Sequence, residues 1–255
     1  MNAIKSPLIA LIVLLSGWTA VRADSAADVI KDAIKLTNDY GAVVASAKSE
    51  DTAKEAGAKV AELAKSAAEV KARADKLEAL SDDQKKELAK TVGDGADVAS
   101  QILLGASATL AKKSKDEAFA ALQQSGKAFS KAIGPVLAEI GGTTLTDSHD
   151  RLMGDAISIM TIMADALAAA KDEPTAKVAS DKIKALEFRT KSFQARADLL
   201  GEPDPSQIQT LMAKHMAGLM KNGQKLQQEA IRIQQDPKLA ELLGDAMKAV
   251  QGLGN

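Results

Sequence analysis

The stretch that decides the fold is residues 53–77, AKEAGAKVAELAKSAAEVKARADKL, which is built from alanine and long charged side chains. Its apolar residues recur three and four positions apart, at Ala53, Ala56, Val60, Leu63, Ala67, Val70, Ala74 and Leu77. This spacing puts them on one face of an α-helix and is typical of the buried seam of a helical bundle. Because alanine is also the best helix former, the sequence predicts an all-α protein.

The same pattern returns 123 residues later in the chain. When residues 32–77 are laid on residues 155–200 without a gap, 18 of the 46 positions are identical. Further along, the offset drifts to 124 residues, where Leu88 meets Met212. A period above 100 residues is too long for a solenoid, whose repeats have about 20–50 residues. We therefore predict a duplication, with copy one at residues 24–140, a linker at 141–144 and copy two at 145–255.

Each copy is expected to be an antiparallel, up-down-up-down four-helix bundle, because the connections between its helices are short. The first and second helices of each copy contain the apolar seam residues. The third helix is expected at about 82–112 in copy one and 205–235 in copy two. The fourth helix is expected at about 115–133 and 237–250. Helix starts are marked by capping residues at Ser49, Ser81, Ser114, Asp172 and Asp204. Glycines inside the third helix of copy one, Gly93, Gly95 and Gly105, predict a local kink or a close helix approach.

The beginning of the chain has the pattern of a secretory signal peptide at residues 1–23. Lys5 supplies a positive charge, residues 8–15 form an apolar run, and Val21-Arg22-Ala23 is a small-residue cleavage site. The run is shorter than the roughly 20 residues that span a bilayer. We expect cleavage after Ala23, a periplasmic or secreted protein, and no integral membrane segment after that cleavage.

Composition narrows the classes of function. The chain has 33 basic and 34 acidic residues, so it lacks the excess of Lys and Arg that phosphate binding requires, and no nucleic-acid partner is expected. It has no cysteine and therefore no disulfide. Aromatic residues are only 2% of the chain, and aromatic side chains usually dominate tight interfaces. This favours weak or broad binding over a deep aromatic pocket.

One group of residues in copy two has the chemistry of a metal site. Both histidines and all methionines except the initiator lie there, and His149 with Met153, and Met212 with His215, have the spacing of helix neighbours. The first and third helices of an up-down bundle are parallel, so both pairs would lie at the same end. These four residues could bind Cu(I) or provide axial ligands for haem. The alternative is ordinary core packing by methionine and a structural role for each histidine.

Two resemblances can be stated from these features. The length of the predicted helices and the acidic turn between residues 166 and 196 resemble cytochrome b562-type four-helix bundles. That resemblance implies a b-type haem held by a Met in the first helix, which Met153 would match, and by a His in the last helix, where residues 238–250 have none. The alanine-rich helices, the Asp-Pro start at Asp236 and the closing Asp245-Ala246-Met247 also resemble uncharacterised secreted bacterial helical-bundle domains. That second resemblance implies no particular activity.

Catalysis has little support in the sequence. Ser148-His149-Asp150 contains the residue types of a catalytic triad, but triad geometry requires convergence in space, and a helix cap explains these residues better. Arg73 and Arg196, which the repeat superimposes, are expected to pair with a neighbouring helix or to face solvent, and clamping of a ligand is the alternative role. We therefore predict a non-enzymatic, exported interaction module that binds a protein or peptide, with the groove between the bundles or an alanine-rich face as its working surface. A soft-metal or haem carrier is the alternative, and peripheral contact with lipid is a third interpretation.

Overall fold

The computed structural model describes residues 25–113 and 116–250. This part of the chain is helical and contains no strand, which confirms the all-α prediction. The predicted signal peptide and the Ser114 cap lie outside the described residues.

The helices are long and follow one another through short connections. In what we call the first half, the helices are α1 Ala26–Ser46, α2 Glu50–Ala74, α3 Asp82–Val92, α4 Gly95–Lys113 and α5 Glu117–Glu139. In the second half they are α6 His149–Ala169, α7 Glu173–Ala185, α8 Glu187–Leu200, α9 Pro205–Gln234 and α10 Pro237–Val250.

Side-chain caps start the helices where the sequence predicts them. Ser49 and Asp172 each accept a hydrogen bond from the backbone N–H of a threonine three residues on and form reciprocal capping boxes. Ser81 and Asp204 form the same kind of box with a glutamine. Such caps stabilise a helix by about 1 kcal/mol because they satisfy backbone N–H groups that have no partner inside the helix.

Two helices predicted to be continuous are broken. The third helix of the first half stops at Gly93, whose φ of 53° suits glycine, and restarts as α4. The second helix of the second half breaks at Leu186, between α7 and α8, where there is neither glycine nor proline. Tertiary packing accounts for the second break, because Phe188, just beyond it, packs against the core of the first half.

The fourth helix of the first half is longer than predicted. The sequence pair Gly134-Pro135 suggests a stop at residue 133, but α5 continues through Pro135 to Glu139. Ile133, Val136 and Leu137 are almost fully buried. Their burial outweighs the hydrogen bond that proline removes from the helix.

The helices of each half pack in a ring around their own apolar cluster. In the first half α1 contacts α2, α2 contacts α5, α5 contacts α4 and α4 contacts α1. In the second half the same order holds for α6, α7, α10 and α9. Two hydrophobic clusters result, one centred on Tyr40 and Phe129 and the other on Ile183 and Leu243.

Helix α6 is the one helix, among the described residues, that is long and apolar enough to cross a bilayer by length and composition. In the folded chain it contacts α7, α8 and α9. Its charged residues Asp155 and Asp165 form ion pairs with neighbouring helices. These contacts and ion pairs join α6 to the helices around it.

The two halves meet where α8 packs on α4. The two helices lie close together at Gly105, because a Cβ atom built there would lie 2.7 Å from the Cβ of Ser192. Of the two explanations that the sequence offered for this glycine, close helix approach is therefore correct. Lys112 on α4 also pairs with Asp198 on α8, which ties the two helices together at the end of the contact.

Candidate functional site

A cavity of about 1280 Å³ lies between the two halves. We call it the central cavity; its walls come from the C-terminal part of α1, from α4, from the C-terminal part of α6 and from the break between α7 and α8. Ligand pockets usually measure about 300–1,000 Å³, so the cavity is large enough for an extended ligand.

The inner wall of the central cavity is apolar. Val44, Ala166 and Leu186 line it and are buried, while Ile102 and Phe188 line it and are partly exposed. Gly41 lets α1 approach this wall closely, since a Cβ there would lie 2.5 Å from a methyl carbon of Ile102. A ligand in the cavity would therefore bury apolar surface, which is the main source of affinity for such sites.

The rim of the cavity is basic. Five lysines line it, and all of them are exposed: Lys48, Lys113, Lys182, Lys184 and Lys191. The two acidic residues in the lining already have cationic partners, because Asp165 pairs with Lys225 and Glu187 with Lys191. The hydrogen bond from Lys191 holds the pKa of Glu187 below its usual value, so this carboxylate stays charged. A positive charge excess remains at the rim.

The break between α7 and α8 forms part of this rim. The N–H of Leu186 turns back to the carbonyl of Ile183, and regular helical bonding resumes only when Thr190 donates to Leu186. The first N–H groups of α8 lack partners within the helix, as at any helix start. They belong to Glu187, Phe188 and Arg189, which line the cavity.

A buried network of charges holds α8 against α6 beside the cavity. The Asp155 carboxylate accepts hydrogen bonds from Arg189 and from Arg196, whose Nη1 lies 2.8 Å from Oδ2. Arg196 also binds Asp147 through two hydrogen bonds of 2.7 and 2.8 Å. Burial alone would lower the pKa of Arg196, but its bonds to Asp147 and the charge of Asp155 outweigh burial and raise it. The guanidinium therefore stays charged although it is fully buried.

A related pair lies in the first half. Nη1 of Arg73 is 2.7 Å from Oδ2 of Asp32, and the two residues are 41 positions apart, as are Arg196 and Asp155. The expectation that these arginines pair with a neighbouring helix is therefore correct for both. In the first half, however, the pair is partly exposed, and within the described residues no second arginine is bound to Asp32.

The structure places the four predicted metal ligands at the start of α6 and in α9. Nε2 of His149 lies 2.9 Å from the carbonyl oxygen of Gly201, and Nε2 of His215 lies 2.8 Å from Oδ1 of Asp150. Met153 is partly buried and Met212 is exposed. Hydrogen bonds from Lys214 and His215 keep the pKa of Asp150 below its usual value. In each imidazole, Nε2 is therefore engaged in a hydrogen bond. Nδ1 is the nitrogen that remains to bind a metal ion.

The haem that the resemblance to cytochrome b562 implies does not fit the described residues. The last described helix, α10, has no histidine, and His215 is on α9, where it binds Asp150. In the described part of the chain, no group of three or more His, Asp or Glu side chains is positioned to hold a metal ion.

Methionines of α9 form an exposed apolar stripe instead of core packing. Ile208, Met212, Met216 and Met220 are spaced four residues apart and are 46%, 38%, 38% and 57% exposed. Gly95 faces Ile34 and Gly218 faces Ile157, and both the two glycines and the two isoleucines are 123 positions apart.

Sequence reasoning missed both the position of the cavity and the role of Asp155 and Arg189. The groove between the two bundles that the sequence suggests as a working surface lies in the region of the cavity, but the sequence identifies none of the lining residues. For Asp155, the available signal was the constant spacing of 41 residues between aspartate and arginine in both halves.

Comparisons of the chain with protein-family models, with curated proteins and with solved structures find no match.

Proposed function

We propose that the chain is an exported, non-enzymatic binding protein whose ligand occupies the central cavity. The observation that carries the proposal is the size of that cavity, about 1280 Å³, together with its apolar inner wall. A large apolar cavity with a few polar groups at its edge is the usual location of a binding site.

The proposal includes the duplication read from the sequence. The caps Ser25 and Ser148, and likewise Ser49 and Asp172, are separated by 123 residues, and each pair starts equivalent helices. The equivalent Arg–Asp pairs support the same relation. Duplication of one bundle creates an interface that the single bundle lacks, and the central cavity lies at this interface. Export to the periplasm or the outside of the cell rests on the signal-peptide pattern.

A neutral fluorophore tests the cavity directly. N-phenyl-1-naphthylamine, which fluoresces in apolar surroundings, is expected to bind the purified full-length chain. Replacing Ala45, an exposed residue of the cavity lining, with tryptophan should fill part of the space and weaken binding about tenfold, which corresponds to about 1.4 kcal/mol. Fluorescence titration measures the effect.

Two control variants locate the bound probe. Ala58 is exposed on α2 and does not line the cavity, so A58W should bind the probe as the wild type does. M216K/M220K, which makes the exposed stripe of α9 polar, should also leave binding unchanged. Equal affinities of A45W and A58W, or loss of binding in M216K/M220K, would contradict the proposal.

A soft-metal carrier is the second candidate function. The observation that favours it is that His149 and His215 both use Nε2 for a hydrogen bond to a carbonyl or carboxylate oxygen. Metal-binding histidines usually make such a bond with the nitrogen that does not hold the metal. Met153 and Met212 would supply thioether sulfur, which suits Cu(I).

The two candidates differ in what the histidines do. If the chain is a carrier, competition with a chromogenic Cu(I) chelator should show that the wild-type chain binds Cu(I) in stoichiometric amount. H149A/H215A should lose that binding. The same variant should still bind the neutral fluorophore, because neither histidine lines the central cavity. Equal Cu(I) uptake by the wild type and H149A/H215A would rule out the carrier.

A further inference from the structure

We infer that the ligand of the central cavity is an anionic amphiphile: an alkyl chain lies on the apolar wall and a carboxylate or phosphate group lies at the lysine rim. The inference rests on the proposed function, since it names the class of ligand for the same cavity.

The distribution of charge around the cavity carries the inference. Of the lining lysines, Lys191 pairs with Glu187, and the other lining carboxylate, that of Asp165, is bound by Lys225. Lys182 and Lys184 have no ion pair within residues 25–113 and 116–250. Unpaired cations at the edge of an apolar wall attract an anion and exclude a cation.

The separation of apolar and charged surface sets the shape of the ligand. Val44, Ala166 and Leu186 are buried in the wall, whereas the lysine side chains reach solvent. A ligand that satisfies both regions has an apolar part of several methylene groups and an anionic end. Each buried methylene group contributes about 0.8 kcal/mol, which favours a long chain.

Other ligand classes match this cavity less well. An acidic peptide would bring backbone N–H and C=O groups against the apolar wall of Val44, Ala166 and Leu186, whose side chains offer them no hydrogen bond. A neutral hydrocarbon would leave the rim lysines without a role. The anionic amphiphile uses both features.

Competition for the bound N-phenyl-1-naphthylamine tests the head group. Dodecanoate, dodecyl phosphate and dodecanol have the same alkyl chain and are added to the full-length chain below their micellar concentrations. We expect the two anions to displace the probe at concentrations about tenfold lower than dodecanol does, because hydrogen bonds to charged groups are the stronger kind. The comparison of dodecanoate with dodecyl phosphate tells which anionic head group is preferred.

Charge-reversed variants assign the effect to the rim. K182E/K184E should remove the advantage of the anions and leave displacement by dodecanol unchanged. K31E/K35E changes the net charge equally at exposed positions of α1 outside the cavity lining, and should behave as the wild type does.

The outcomes separate the inference from the function on which it rests. If dodecanol displaces the probe as well as the anions do, or if K182E/K184E retains the anion advantage, the inference is overturned while binding in the cavity stands. If the probe itself fails to bind, the proposed function fails first.

Discussion

Replacement of Asp155 with alanine is expected to lower the free energy of unfolding by about 3–5 kcal/mol. Its carboxylate is 1% exposed and lies between Arg189 and Arg196, which are 4% and 1% exposed. Arg196 would keep its bonds to Asp147, but among the described residues the guanidinium of Arg189 would keep only the 3.3 Å contact with the hydroxyl group of Ser158. The variant therefore leaves a buried guanidinium without a counter-charge, which is far more costly than the loss of an exposed pair.

The first half of the chain contains a matched control for this prediction. Asp32 has the same spacing to its arginine as Asp155, but the side chains of Asp32 and Arg73 are 49% and 31% exposed. Exposed pairs contribute about 0–1 kcal/mol, so D32A should change stability by no more than that. Urea unfolding followed by circular dichroism compares the two variants with the wild type.

A second substitution tests the cause of the loss. D155A/R189M removes both the Asp155 carboxylate and the Arg189 guanidinium that would otherwise lack a counter-charge. The double variant should be more stable than D155A, because an apolar side chain of similar length costs less to bury than an unpaired guanidinium. A loss in D155A no larger than that in D32A would contradict the electrostatic explanation, and so would a further loss in D155A/R189M.

The sequence predicts helix starts well because caps are local. Ser81 and Asp204 act through hydrogen bonds to residues within one helical turn, so the pattern of a few residues determines them. The break at Leu186 has no such local signal. It depends on α8 leaving the line of α7 to pack on α4, and only the folded chain brings these helices together.

The candidate site was harder to predict for the same reason. Its lining comes from four separate parts of the chain, and no short motif joins Val44 to Leu186 or Lys182. Methionines at helical spacing suggested either core or ligands, but in α9 they lie on an exposed face, because helical spacing specifies a face and not what covers it. The spacing of 41 residues between aspartate and arginine, which occurs in both halves, is the one long-range signal in the sequence that indicates the buried charge network.

Leucine at position 105 is expected to separate α4 from α8 and to lower the free energy of unfolding by about 1–3 kcal/mol. Even a Cβ atom at Gly105 would lie 2.7 Å from the Cβ of Ser192, and both atoms sit close to helix backbones that must then move apart. Gly154 gives the matched control, since a Cβ there meets no atom within 4 Å, and G154L should keep or slightly raise the stability because leucine is the better helix former.

The separation itself can be detected at a contact further along the two helices. Lys112 pairs with Asp198, so a zero-length carbodiimide cross-link should join them in the wild type and in G154L, and peptide mass spectrometry should find it strongly reduced in G105L. Because residues of both α4 and α8 line the central cavity, G105L should also lose affinity for the neutral fluorophore. A cross-link in G105L as strong as that in the wild type would show that α4 and α8 accommodate the added side chain without moving apart. The close approach at Gly105 would then not determine the shape of the cavity.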